Sequence, residues 1–151
     1  MTNYIPNFYA IEWTAVGLRL LDQRRLPAAE VYLDLGDAAA VAVAIRDMVV
    51  RGAPAIGITA AYGVVLSAQQ HGNHADWRDR VDQDIRLLAA ARPTAVNLVW
   101  ALERMRVRLA KVTAEPVKEL LQEAEQIHRE DISANKRMGV HGENLINKGG
   151  S

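Results

Sequence analysis

The chain has 151 residues, half of them hydrophobic, which suffices for one domain with a real core or a small domain joined to part of another. Its 18 basic and 18 acidic side chains cancel, so it has no excess positive charge for binding nucleic acid or an anionic membrane surface. The absence of cysteine excludes disulfides, thiolate zinc sites and cysteine nucleophiles, and with no signal-like start and no apolar run near the roughly 20 residues of a membrane span, the composition fits a cytoplasmic protein.

Short apolar runs at Tyr9 to Trp13, Gly17 to Leu21 and Val31 to Leu35, separated by turn-forming residues, predict two or three antiparallel strands. Gly36-Asp37 is a good helix start. Val41, Ala44, Ile45, Met48 and Val49 then share one helical face, predicting a helix that ends at Arg51-Gly52. Pro54 suits a first helical position, where its missing N–H costs nothing. From Ala55 to Leu66 no residue is charged and the apolar side chains point to every side, so a helix to about Gln70 is predicted to be buried all round. Gly57, Ala60, Ala61 and Gly63 would let neighbouring backbones approach it closely.

His71 to His74 form a polar loop, and a helix beginning near Asp76 turns Val81, Ile85 and Leu88 inward. It should stop before Pro93, because the residue ahead of proline avoids the helical region, and this leaves Arg92 at its C-terminus. A fourth helix has the stripe Leu98, Ala101, Leu102, Met105, Leu109 and Val112, with Arg104, Arg106, Arg108 and Lys111 mostly on the wet side. Pro116 opens a fifth, long helix. Its stripe of Val117, Leu120, Ala124, Ile127, Asp131, Ala134, Met138, His141 and Leu145 alternates steps of three and four. Asp131 and His141 lie about 15 Å apart along such a helix and cannot act as a pair.

The stretch Val50 to Gly57 has two compatible readings. An arginine followed by glycine is an ordinary helix stop, while an arginine and glycine turn ahead of a proline-started helix is a seat for an anion. Arg92 stands at a second helix boundary, with Asn97 one turn into the helix that follows. Two guanidinium groups and a helix N-terminus would hold a phosphate monoester well. His71 and His74 are spaced for a shared metal but have no third ligand in sight, and His128 sits on a mostly polar turn with no assigned role. No Gly-x-Ser-x-Gly, Walker A or Gly-x-Gly-x-x-Gly pattern occurs.

Four blocks, Ile11-Glu12-Trp13, Leu20 to Pro27, Ala44 to Gly57 and Arg92 to Leu98, resemble in order and spacing the amino-terminal part of the S-methyl-5-thioribose-1-phosphate isomerase family. Its fold relatives include ribose-1,5-bisphosphate isomerase and the regulatory subunits of translation initiation factor 2B. The resemblance implies an aldose to ketose isomerisation of a sugar phosphate without cofactor or metal, in an enzyme that is a homodimer. It implies substrate binding by Arg51, Gly52, Ala53 and Arg92. The cysteine and aspartate that carry the family's proton chemistry belong to a following Rossmann-like domain, so no catalytic residue is assigned in this chain and no turnover is expected from it alone. The expected fold is α+β and mainly helical, a small antiparallel sheet followed by a helical bundle. Residues 1–115 would form the small amino-terminal domain, and 116–151 a long helix leading to the carboxy-terminal domain. A regulatory or scaffold subunit that senses a phosphorylated metabolite is the alternative, and a freestanding helical interaction module a third.

Overall fold

The structure, a computed structural model, describes residues 10–131. Strands β1 (Ile11–Thr14), β2 (Gly17–Leu21) and β3 (Tyr32–Leu35) form an antiparallel sheet in the order β1-β2-β3. Ile11 pairs with Leu20 and Leu20 with Leu33, so these three share the face turned to the core, while the pair Arg19 and Asp34 faces outward. After β2 the buried Asp22 carboxylate caps the 3-10 turn Gln23–Arg25 and accepts Nε and Nη2 of Arg24 at 2.9 and 2.8 Å. Those hydrogen bonds hold the Asp22 carboxyl below the usual carboxylate range.

Helix α1 (Ala38–Arg46) starts where Asp37 accepts the Ala40 N–H at 2.7 Å. It ends at Arg46, not at Arg51-Gly52 as the apolar spacing predicts. The Met48 N–H reaches the Ile45 carbonyl at 3.2 Å and the Val49 N–H the Ala44 carbonyl at 2.9 Å, with Met48 at φ 64°. This is a Schellman ending with methionine in the left-handed position usually held by glycine. Met48 and Val49 therefore continue the helical spacing in sequence after the helix itself has closed.

Helix α2 (Ala53–His71) is the axis of the molecule, and every residue from Ala55 to Ala68 is buried. Around it pack α1, α3 (Trp77–Ala91), α4 (Val96–Lys111) and a helix α5 over 116–131. Helix α3 stops just short of Pro93, as expected, and α4 buries its whole expected stripe. Leu120, Ala124 and Ile127 of α5 join the same core. The later stripe positions Ala134, Met138, His141 and Leu145 lie outside the described residues. No described helix is long and apolar enough to cross a membrane.

Candidate functional site

The end of α1 at Arg46 removes one reading of Arg51: it is not in a helix's last turn. It lies exposed in the link between α1 and α2, and Gly52 behind it is the N-cap of α2 with φ 92° and ψ 134°, a backbone state that side chains avoid. Ala53 is the first residue of α2. No side chain caps this helix and its first turn carries no acid, so its N-terminal end keeps the partial positive charge that favours an anion.

Arg92 occupies the C-cap of α3, half-buried, and its carbonyl accepts the Ala95 N–H at 3.0 Å. Four residues later α4 begins, also without a side-chain cap or an acid in its first turn. The start of α3 differs, with Asp79 in its first turn. Among the described residues, Arg51 and Arg92 are the arginines whose guanidinium groups have no polar partner. The others reach a carboxylate, a carbonyl or an amide oxygen, as Arg80 does with Asp76 and Arg104 with Glu123 and Glu130.

The N-terminal ends of α2 and α4 meet at Gly57. A Cβ placed there would stand 2.8 Å from the Asn97 carbonyl, so only glycine permits this approach. Beside the contact opens a cavity of about 240 Å³. Pro54, Gly57 and Ile58 form one wall, Asn97 and Trp100 a second, and Ile127, Glu130 and Asp131 the third. Arg104 lies 5.5 Å above the Trp100 ring and holds Glu130 through Nη1 and Nη2 at 2.7 and 2.8 Å, which fixes two walls together. Burial holds the Asp131 carboxyl above its ordinary range. None of Arg51, Gly52, Ala53 or Arg92 lines the cavity. Trp100 was legible as an apolar residue off the buried stripe of α4, and Asp131 as a polar residue on the stripe of α5.

Among the described residues, the remaining polar groups form no catalytic arrangement. His128 is half-buried rather than solvent-facing: Nδ1 lies 2.8 Å from the Tyr62 hydroxyl, whose ring stacks on Trp13. Burial pushes its pKa down, favouring the neutral ring. Asp84 accepts from Ser67 Oγ at 2.6 Å and pairs with His71 Nε2 at 3.3 Å, so the serine hydroxyl is tied to a carboxylate and not to an imidazole base. Among the described residues no group of three could hold a metal ion.

A small antiparallel sheet and a fully buried central helix with four helices packed around it define an α+β, mainly helical domain rather than a plain helical bundle. Family comparison makes this specific. The chain belongs to the Initiation factor 2 subunit family, whose model matches residues 49–151. It is 57% identical over 142 residues to a methylthioribose-1-phosphate isomerase of Pseudomonas paraeruginosa and 54% identical over 138 residues to that of Thioalkalivibrio sulfidiphilus, covering 92% and 91% of this chain. The chain spans 40% of the length of each of these relatives. Among solved structures it is similar to 5-methylthioribose 1-phosphate isomerase from Pyrococcus horikoshii, with TM-score 0.83 and 33% identity over 95% of this chain and 43% of that one. It is equally similar to the delta subunit of translation initiation factor eIF-2B from A. fulgidus, with TM-score 0.84 and 34% identity over 90% of this chain and 41% of that one.

Proposed function

We propose that this chain is the substrate-gripping amino-terminal part of a sugar-phosphate isomerase acting on S-methyl-5-thioribose 1-phosphate, with Arg51, Gly52, Ala53 and Arg92 as the phosphate-binding residues. The observation that carries the reading is the pair of unpartnered guanidinium groups, each placed just ahead of an uncapped, acid-free helix N-terminus. Free arginines and open backbone amides at one end of a fold suit a phosphate monoester. The names of the similar enzymes supply the sugar. In this reading residues 1–115 are the gripping domain, and 116–151 lead to a carboxy-terminal Rossmann-like domain that brings the proton chemistry. The setting is a cytoplasmic homodimer.

Titration with inorganic phosphate and with S-methyl-5-thioribose 1-phosphate tests the grip. Arg51→Ala is expected to weaken both by about 1.5 to 3 kcal/mol, the range for a hydrogen bond to a charged group, or about ten- to a hundredfold in Kd. An unchanged Kd removes Arg51 from the site. A coupled assay for the ketose phosphate tests the activity: no turnover from this chain, and turnover once the carboxy-terminal part of the Pseudomonas paraeruginosa relative is joined to it. An inactive joined protein that still binds the sugar phosphate favours the second reading, a regulatory subunit, which the similarity to the eIF-2B delta subunit keeps in view.

A further inference from the structure

Helix α5 carries one side chain that apolar anchoring does not explain. His128 turns toward the central helix, where its Nδ1 lies 2.8 Å from the Tyr62 hydroxyl and its ring stands edge-on to the Tyr62 ring, with centroids 5.6 Å apart. Tyr62 is buried and stacks in turn on Trp13 of β1 at 5.5 Å. Three elements, β1, α2 and α5, therefore meet through three aromatic rings. The far nitrogen of the imidazole, Nε2, is shut off from solvent and has no hydrogen-bond partner among the described residues. Burial raises the Tyr62 hydroxyl above the usual phenol range, so it stays protonated. The charges of the surrounding elements are engaged elsewhere. Glu125 and Arg129, on α5 itself, act on the Tyr62 hydroxyl in opposite directions. Arg104 of α4 is taken up by Glu123 and Glu130, Glu12 of β1 is exposed, and α2 carries no charged residue before His71. Asp131, one turn beyond His128, has an interaction of its own.

The neutral imidazole suits this joint, because the Tyr62 O–H donates to Nδ1 and a single uncharged N–H at Nε2 goes unpaired. A second proton takes the lone pair that accepts the phenol proton and puts a full charge where, among the described residues, no carboxylate reaches it. A buried unpaired charge costs far more than a buried neutral N–H. We propose that His128 is a proton-operated latch between α5 and the central helix: neutral, it holds the last described turns of α5 against Tyr62, and protonated, it leaves the joint and releases them. Burial sets the direction. It holds the His128 pKa below its ordinary value, so the opened chain takes up the proton before the closed one does. The tie is complete above about pH 6.5 and is lost as pH falls through the lowered value. Asp131 acts in the opposite sense, since burial raises its pKa and its protonation favours the closed form.

Nuclear magnetic resonance of this chain between about pH 8 and pH 5 tests the latch. The His128 ring should titrate below about pH 6.5, and the ring signals of Tyr62 and Trp13 should shift with the same midpoint. Amide protection at 127–131, corrected for the intrinsic exchange rate at each pH, should fall several-fold over that range, and that of the most protected amides of α2 should fall less. His128→Asn keeps an oxygen acceptor for the Tyr62 hydroxyl but does not titrate, and His128→Phe keeps a ring without nitrogens. Both should hold protection at 127–131 constant across the range, while Asp131→Asn should keep the response of the unaltered chain. A His128 midpoint at or above about pH 6.5 overturns the proposal. So does a lowered midpoint with unchanged protection at 127–131, which would leave His128 a buried side chain and nothing more. A response that survives both His128 variants, or disappears in Asp131→Asn, belongs to another group and overturns it equally. If His128→Asn does not fold, His128→Phe carries the comparison, and the titration of the unaltered chain decides without either.

Discussion

At Gly52 the backbone, and not the available space, dictates the residue. A Cβ there would meet nothing within 4 Å, yet φ of 92° with ψ of 134° is a conformation that L side chains rarely hold. Gly52→Ala is therefore expected to cost about 1 to 3 kcal/mol of stability, visible in urea unfolding, or else to rotate the link so that Arg51 leaves the mouth of α2. Either outcome reduces phosphate binding. A variant with unchanged stability and unchanged Kd would mean that this turn has no part in the site. Gly57 needs glycine for the opposite reason. Its helical backbone accepts any residue, but the Asn97 carbonyl occupies the place of a side chain.

Helices α2 and α4 are thus joined through one missing methyl group. Alanine within a helix is favoured over glycine by about 1 kcal/mol, but moving the backbone of α4 to admit it costs about 1 to 3 kcal/mol. Gly57→Ala should come out destabilising and should push the N-terminal ends of α2 and α4 apart. Gly63→Ala is its control, because the groups it would meet are the side-chain ends of Val41 and Leu88 at 3.1 and 3.2 Å, which can give way. Chemical denaturation of the two variants decides the matter: equal stabilities would show that the Asn97 approach is soft. The same pair marks how far the sequence could be read. The run of small residues in an uncharged helix forecast close packing, and strands, helices and the Pro93 stop followed from local rules. Which glycine meets a carbonyl depends on the partner helix, which spacing does not name. The end of α1 was hidden for a related reason: Met48 takes the left-handed position, and no local rule reserves that position for methionine. Arg51 and Arg92 could be set side by side in the sequence through Pro54 and Pro93 near them, although Arg51 lies in a link and not in the last turn of a helix. The cavity was not legible, because α5 builds its third wall from residues 30 or more positions away from Asn97.

Over the whole molecule, two kinds of force hold the elements to α2, and they differ most at α5. The inner face of that helix is anchored by Leu120, Ala124 and Ile127, while its end near the cavity is held to α4 by Arg104, which reaches Glu123 at 2.6 Å and Glu130 at 2.7 Å. Pairs this exposed contribute about 0.2 to 1 kcal/mol each, so Arg104→Ala should lower global stability by only about 1 kcal/mol. Its local effect should be larger. The last turn described for α5, with Ile127, Glu130 and Asp131, would lose its tie to α4, and Trp100 would lose the guanidinium above it. Amide hydrogen exchange separates the two effects, since local opening speeds exchange at 127–131 without changing the most protected amides of α2. The expected result is faster exchange at 127–131 with the most protected amides of α2 unchanged. Uniform acceleration across α2 and α5 would instead make Arg104 a support of the global fold, and the cavity's third wall would then be held by its apolar anchors alone.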